Sequence, residues 1–281
     1  MFRRDRIELK SIEEMLLMRR AGLVVADALD AVRAAMVPGI STVALDGIAA
    51  EVIARAGAAP SFLGYQGYPA SICVSVNDEV VHGIPGARTV AAGDVVSVDC
   101  GAIVDGWHAD AAMTVVLPDA DPADVALCEI TESAMWDGIA ALQSAERLHA
   151  VGAAIEASVA ESGTHPEAER PYGIVREYVG HGIGSAMHQA PDVPNYRPRD
   201  RGPRVRPGMC VAIEPMITRG EPYTQVCEDD WTVVTDDGAR AAHWEHTVAI
   251  HEGGLWVLTA RDGGHDRLAE RGVSVAPLAV D

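Results

Sequence analysis

Hydrophobic positions change their period along the chain, and each change marks a predicted element. Ser11 and Glu14 have the S-x-x-E form of a capping box, and apolar residues then recur at Met15, Leu16, Leu23 and Ala26 until Pro38-Gly39. That pattern predicts a helix. Leu45, Ile48, Ala49, Val52, Ile53 and Ala56 repeat with helical spacing up to Gly57 and predict a second. From Ser71 the rhythm shortens. Ile72-Cys73-Val74-Ser75-Val76, Val95-Val96-Ser97-Val98, Met113-Thr114-Val115-Val116 and Cys210-Val211-Ala212-Ile213 are β-branched runs bounded by Gly, Pro and Asp, hence strands. Asp121-Pro122 supplies an N-cap and a first-turn proline for Ala-rich helical sequence that continues, with a break near Ser144, to Gly163. Further strands are expected at Trp231-Thr232-Val233-Val234 and from His246 to Ile250. The order helix–helix–strands, repeated once, predicts an α+β fold of two similar halves. Residues 1–10 are expected to be an N-terminal extension, 11–260 a single domain, and 261–281, which lack periodicity, a frayed tail.

Composition narrows the function. Hydrophobic residues make up 48% of the 281 and charged residues 22%, a globular balance. The 41 acidic against 22 basic side chains leave a net charge of −19, which disfavours a dedicated nucleic-acid binder or an anionic-membrane binder. The five cysteines are scattered, with no CxxC pair and no disulfide framework, and no apolar run is long enough for a signal peptide or a membrane span. A cytoplasmic protein is expected. Residues 197–206 (RPRDRGPRVR) run against the overall charge, with five arginines and one aspartate. They are expected to form a solvated loop, with RNA contact as the sharper alternative.

Four segments carry carboxylates or histidines where such groups are costly. Asp99 ends an apolar strand, and Asp110 lies across an expected hairpin turn at Asp105-Gly106, so both carboxylates can face one point. Facing carboxylates repel unless a cation or proton separates them. His181 is flanked by glycines in GHGIG, with His188 seven residues on. Glu214 ends Val211-Ala212-Ile213 just before Pro215, and Glu245 immediately precedes a strand. Carboxylates with one imidazole and no thiolate suit a cage for two divalent cations rather than a structural zinc site.

Five segments, NDEVVHGIP (77–85), VDCGAIVDGWHAD (98–110), GHGIG with His188 (180–188), IEPM (213–216) and WEHT (244–247), resemble type I methionine aminopeptidases in order and spacing. The resemblance spans nearly the whole chain. It implies the pita-bread fold, two pseudo-symmetric halves with a dinuclear metal site between them. It also implies removal of the initiator methionine from nascent proteins and peptides, with a small second residue preferred, by a hydroxide that the metal pair activates. Asp99, Asp110, His181, Glu214 and Glu245 would hold two divalent ions (Co, Mn, Fe or Zn), with Asp110 and Glu245 bridging. His82 would be the catalytic histidine near the substrate amine, His188 the donor to the peptide and the oxyanion, and Glu214 the proton shuttle.

For the methionine side chain the resemblance implies a pocket of Phe62, Tyr65, Tyr68, Cys73, Met187 and Trp231. Phe62 stands where bacterial members often have cysteine, Met187 where an aromatic is common, and Val81 where a cysteine is frequent. His108, His243 and His246 are expected to pack near ligands, one of them orienting a carboxylate, while His149, His165, His251 and His265 are expected at the surface. Partners are expected to be nascent polypeptide N-termini, with a transient ribosome contact and no membrane, for a monomer. The 31 residues from Glu214 to Glu245 leave no room for the helical insertion of type II relatives. The rival expectations are an Xaa-Pro aminopeptidase or prolidase-like enzyme on the same scaffold, and a non-catalytic binding protein of this fold.

Overall fold

In a computed structural model that describes residues 6–163 and 171–279, the first half is organised by two long strands, Val95–Val104 and Trp107–Val116. Their antiparallel register sets Val104 opposite Trp107 and closes over Asp105 (φ 50°) and Gly106 (φ 85°). Two left-handed residues are what a two-residue hairpin needs to match the twist of its strands. Ile72–Val76 and the short Ala59–Pro60 pair with the other edge of Val95–Val104. Helices Ile12–Ala35 and Thr42–Arg55 pack Val25, Val32, Leu45 and Ile53 against Ile72, Val74, Val96 and Val98. Both halves of the capping box form at Ser11 and Glu14, satisfying two backbone donors at the first helix start. Cys100 alternates away from Asp99 into this core.

The second half repeats the plan. Helices Pro122–Ala141 and Ala150–Glu161 lie on a five-stranded antiparallel sheet in the order Gly254–Val257, His246–His251, Cys210–Ile213, Gly180–Gly182, Gln189–Val193. Leu127, Met135, Ile139, Val151 and Ile155 meet Val211, Ile213, Val248 and Ile250 in its core. The halves are stitched where the hairpin strand of the first meets the segment entering His246–His251. Glu245 N–H donates to Ala112 O at 3.0 Å and Ala112 N–H to Glu245 O at 3.3 Å. Trp244 packs against both cores.

The tail is a correction to the sequence reading. Residues 265–269 form a helix, Leu268 is fully buried, Arg271 Nε donates to Asp137 Oδ1 at 2.6 Å, and Ala276 N–H pairs with Leu255 O. One helical turn with one apolar anchor is too short to show periodicity, so polar ties hold what the pattern could not announce. Residues 1–5 of the N-terminal extension, 280–281 of the tail, and His165 lie outside the described residues.

Candidate active site

All the candidate site residues line one cavity of about 250 Å³ at the seam between the halves. Each arrives by a local rule. Gly101 is directly opposite Asp110, and Asp99 lies two residues from Gly101 on the same face, so the two carboxylates form a diagonal cross-strand pair. Asp110 accepts from Thr247 Oγ1 at 2.9 Å, and Thr247 in turn accepts from the Asp110 N–H at 3.1 Å, which binds this ligand to the other half. Glu245 sits in the stitching segment itself. Glu214 follows the Cys210–Ile213 strand, and its backbone oxygen accepts from Asn195 Nδ2 at 3.1 Å. His181 lies on the central strand Gly180–Gly182. A side chain at Gly180 or Gly182 would collide with the carbonyl oxygens of Ala212 or Ala190, so only glycine lets the neighbouring backbones close around this imidazole.

These groups converge. Asp110, His181 and Glu245 each offer a ligand atom, and all three atoms lie within 4.8 Å of one another. His181 Nε2 is 3.7 Å from Asp110 Oδ2 and 3.3 Å from Glu214 Oε1. Asp99 Oδ1 is out of contact with solvent and has no hydrogen-bond partner in the protein. Burial first, and mutual repulsion second, push the Asp99, Glu214 and Glu245 carboxyls well above the usual carboxylate range. Burial raises Asp110 as well, against the pull of its Thr247 hydrogen bond. Burial drops His181 to about 4, so its ring is neutral at pH 7 and able to ligate. An unpartnered buried carboxylate oxygen amid three more acids and a neutral imidazole is a donor set that fits divalent cations.

Beside the acids stand three more histidines. His82 adopts φ 61°, a conformation that a non-glycine residue holds only at a cost of roughly 1–3 kcal/mol. Its ring stands edge-on to Tyr178 at 5.5 Å and to Trp231 at 6.2 Å. His188 Nδ1 lies 2.8 Å from the Tyr65 hydroxyl, and its ring is 4.3 Å from that of His181. Burial brings both His82 and His188 to about 4.

The third was expected only to pack nearby. His243 lines the cavity with Nε2 unpartnered, 3.6 Å from Glu214 Oε2. Its position two residues before Glu245 was the available signal, since alternate residues of an extended segment share a face. Gln66 also lines the cavity, with φ 47°, and nothing in the sequence pattern marks it. His108 and His246 are engaged elsewhere, with Ser61 Oγ at 3.0 Å and Thr259 Oγ1 at 2.8 Å. His149 and His251 are half-buried rather than surface residues, whereas His265 is exposed.

The apolar end of the cavity is a buried cluster of Phe62, Tyr68, Cys73 and Met187, with Tyr65 and Trp231 packed against it. Tyr68 and Trp231 meet edge-on at 5.0 Å. The Tyr68 hydroxyl donates to the Gly83 oxygen at 3.0 Å, and Trp231 is fixed through its N–H to Asp229 Oδ1 at 2.9 Å. The five arginines of 197–206 are exposed and line no part of this cavity; Arg197, Arg199 and Arg201 line a separate surface depression with Arg147 and His149.

The sequence profile of metallopeptidase family M24 matches residues 16–252. A methionine aminopeptidase 1 of Mycobacterium tuberculosis is 51% identical over 251 residues, 89% of this chain and 94% of the relative. The crystal structure of methionine aminopeptidase from Thermotoga maritima superposes with a TM-score of 0.86 at 38% identity, covering 91% of this chain and all of that one. A prolidase from Pyrococcus furiosus shares the fold alone, with a TM-score of 0.68 at 19% identity over 90% of this chain and 65% of its own. The two-half pita-bread architecture is therefore common to the peptidases this chain resembles, and the chain itself belongs to metallopeptidase family M24, on its methionine aminopeptidase branch.

Proposed function

We propose that this protein removes the N-terminal methionine from nascent proteins and peptides whose second residue is small, residues 11–260 forming the catalytic domain. The observation that carries the reading is the adjacency, within one cavity, of a convergent acidic cluster and a buried apolar pocket. Asp99, Asp110, His181, Glu214 and Glu245 would hold two divalent ions, of Co, Mn, Fe or Zn, with Asp110 and Glu245 shared between them. When bound, such ions polarise the scissile carbonyl and make a water nucleophilic near neutral pH.

The chain's own residues do the rest. Phe62, Tyr65, Tyr68, Cys73, Met187 and Trp231 seat the methionine side chain, and the sulfur suits the aromatic edges around it. Neutral His188 accepts from Tyr65 at Nδ1 and therefore presents Nε2–H to the cavity, where it donates to the oxygen that gains charge in the transition state. His82 faces the substrate amine and the leaving group. Glu214, ionised once the ions are held, would take a proton from the attacking water and deliver it to the leaving amine. The exposed arginines of 197–206 offer a contact to ribosomal RNA where nascent chains emerge.

The test is a set of short peptides varied at positions one and two, assayed with metal content measured on the same sample. Release of methionine from Met-Gly-Met and Met-Ala-Met, with Xaa-Pro peptides left intact, is the expected outcome. Cleavage confined to Xaa-Pro peptides would replace this reading with the prolidase-like one.

A further inference from the structure

The loop 183–188 joins Gly180–Gly182 to Gln189–Val193 and carries Met187 and His188 into the cavity. Its outer face is held by residues that precede the first helix. The Lys10 side chain is only 1% exposed. Its ammonium lies 3.2 Å from Glu8 O, 3.3 Å from Gln189 Oε1 and 3.3 Å from Glu8 Oε2, so three oxygens compensate one buried cation. The Glu8 carboxylate accepts from Ser185 Oγ at 2.5 Å and from Ser185 N–H at 3.1 Å, and Gln189 Nε2 closes the ring by donating to Ser185 Oγ at 3.2 Å. The segment is anchored through Lys10 N–H to Gly208 O at 2.7 Å. A side chain at Gly184 would collide with both Lys10 and Glu8, so the clamp presses directly on the loop.

We propose that Lys10, with Glu8 and Ser185, is a positioning residue that fixes the loop bearing His188 and so sets the placement of its donor in the cavity. This rests on the role given to His188 above. The clamp grips the two ends of the stretch between Ser185 and Gln189, and His188 lies inside that stretch. His181 has support outside the clamp. It sits between Gly180, which pairs with Val193, and Gly182, which pairs with Val211 as well as with the backbone of Gln189, and Ile183 N–H donates to Cys210 O at 3.2 Å. Loosening the clamp therefore disturbs His188 while the acidic cluster keeps its geometry. The first helix, which nowhere touches the reacting atoms, thus communicates with them through its preceding residues.

The experiment compares Lys10→Met and Ser185→Ala in the metal-loaded full chain, alone and combined with His188→Ala. Lys10→Met is expected to lower kcat about tenfold with little change in KM, and Ser185→Ala about threefold, the scale of losing a group that orients an active residue. Metal content stays at the wild-type value. In the His188→Ala background both substitutions lose their effect on kcat, because the group they position is gone. In histidine-labelled protein, the ring resonances that disappear in His188→Ala shift or broaden in Lys10→Met. An undiminished loss in the His188→Ala background, a fall in metal content, or unchanged His188 resonances would overturn the proposal. Ser185→Ala leaves no buried charge unpaired and carries the test alone should Lys10→Met fail to fold. If the wild type cleaves only Xaa-Pro peptides, the comparison runs on those, and the resonances report on the clamp whichever substrate class is cleaved.

Discussion

The hydrogen bond between Tyr65 and His188 makes a graded prediction. Burial, with repulsion from the His181 ring second, takes His188 to about 4, so at pH 7 the imidazole has one proton to place. A donor at Nε2 requires the Tyr65 hydroxyl, 2.8 Å from Nδ1, to donate to that nitrogen. Tyr65→Phe keeps the ring that packs against the methionine pocket and removes only this donor. A net hydrogen bond of this kind is worth about 1 kcal/mol, or roughly a fivefold effect on a rate. Removing the oxyanion donor outright with His188→Ala should cost about 10²–10³ in kcat. Steady-state kinetics on Met-Gly-Met, with equal metal loading, should therefore show Tyr65→Phe lowering kcat about fivefold and His188→Ala two orders of magnitude more. Adding Tyr65→Phe to His188→Ala should change nothing further. Equal losses for the two single variants, or an effect of Tyr65→Phe on KM alone, would refute the tautomer argument and reassign Tyr65 to substrate packing.

Asp110→Asn keeps the size of the side chain but gives up the shared carboxylate, so divalent-ion affinity measured by calorimetry should fall by at least about a hundredfold while the chain stays folded. The pH dependence of the metal-free protein follows from the raised carboxyls. Each is more protonated in the folded than in the unfolded chain, so unfolding free energy falls as pH rises from the ordinary carboxylate range through the elevated folded values. Below about pH 7 the buried histidines, held near 4 in the fold, oppose this trend, so Tm in chelator should decline above about pH 7, and Asp99→Asn should flatten that decline; an unchanged slope would remove Asp99 from the repelling set. At Met187, buried in the apolar end of the cavity, Met187→Phe should sharpen the preference for methionine over norleucine substrates about two- to threefold in kcat/KM. Identical ratios in wild type and variant would place the discrimination elsewhere.

What was legible in the sequence follows from how far each signal reaches. The capping box at Ser11, the Asp121-Pro122 start and the Asp105-Gly106 turn are fixed by a few neighbouring residues, and all three form. Carboxylates at the ends of apolar runs were legible because burial without a partner is too costly to be incidental. Their convergence was carried by the resemblance, since no local rule predicts that Asp110 and Glu245 come together from strands 135 residues apart. The packed tail was missed because a single buried leucine and a few polar ties leave no period. The Lys10 clamp was missed for a related reason. A lysine two residues before a helix start is usually solvated, and only the three-dimensional closeness of 184–189 shows that this one is buried.

The placement of the site at the seam has an energetic consequence. Each half has its own core, and the halves meet through backbone pairing around Ala112 and Glu245 and between Glu79–Val81 and Val233–Thr235, with Trp244 packed against both cores. Into that same seam the chain brings Asp99 and Asp110 from one half and Glu214 and Glu245 from the other, all lining one cavity and of like charge when ionised. Burial first, and like charge across the seam second, favour the protonated acids, because ionising them together would set the halves against each other. Divalent ions would turn that repulsion into a cross-link between halves, so affinity for the ions and closure of the seam are one free energy measured twice. The reverse also holds: substitutions that loosen the stitching, such as Thr247→Val, which strips Asp110 of its partner from the other half, should weaken ion binding without touching a single ligand atom.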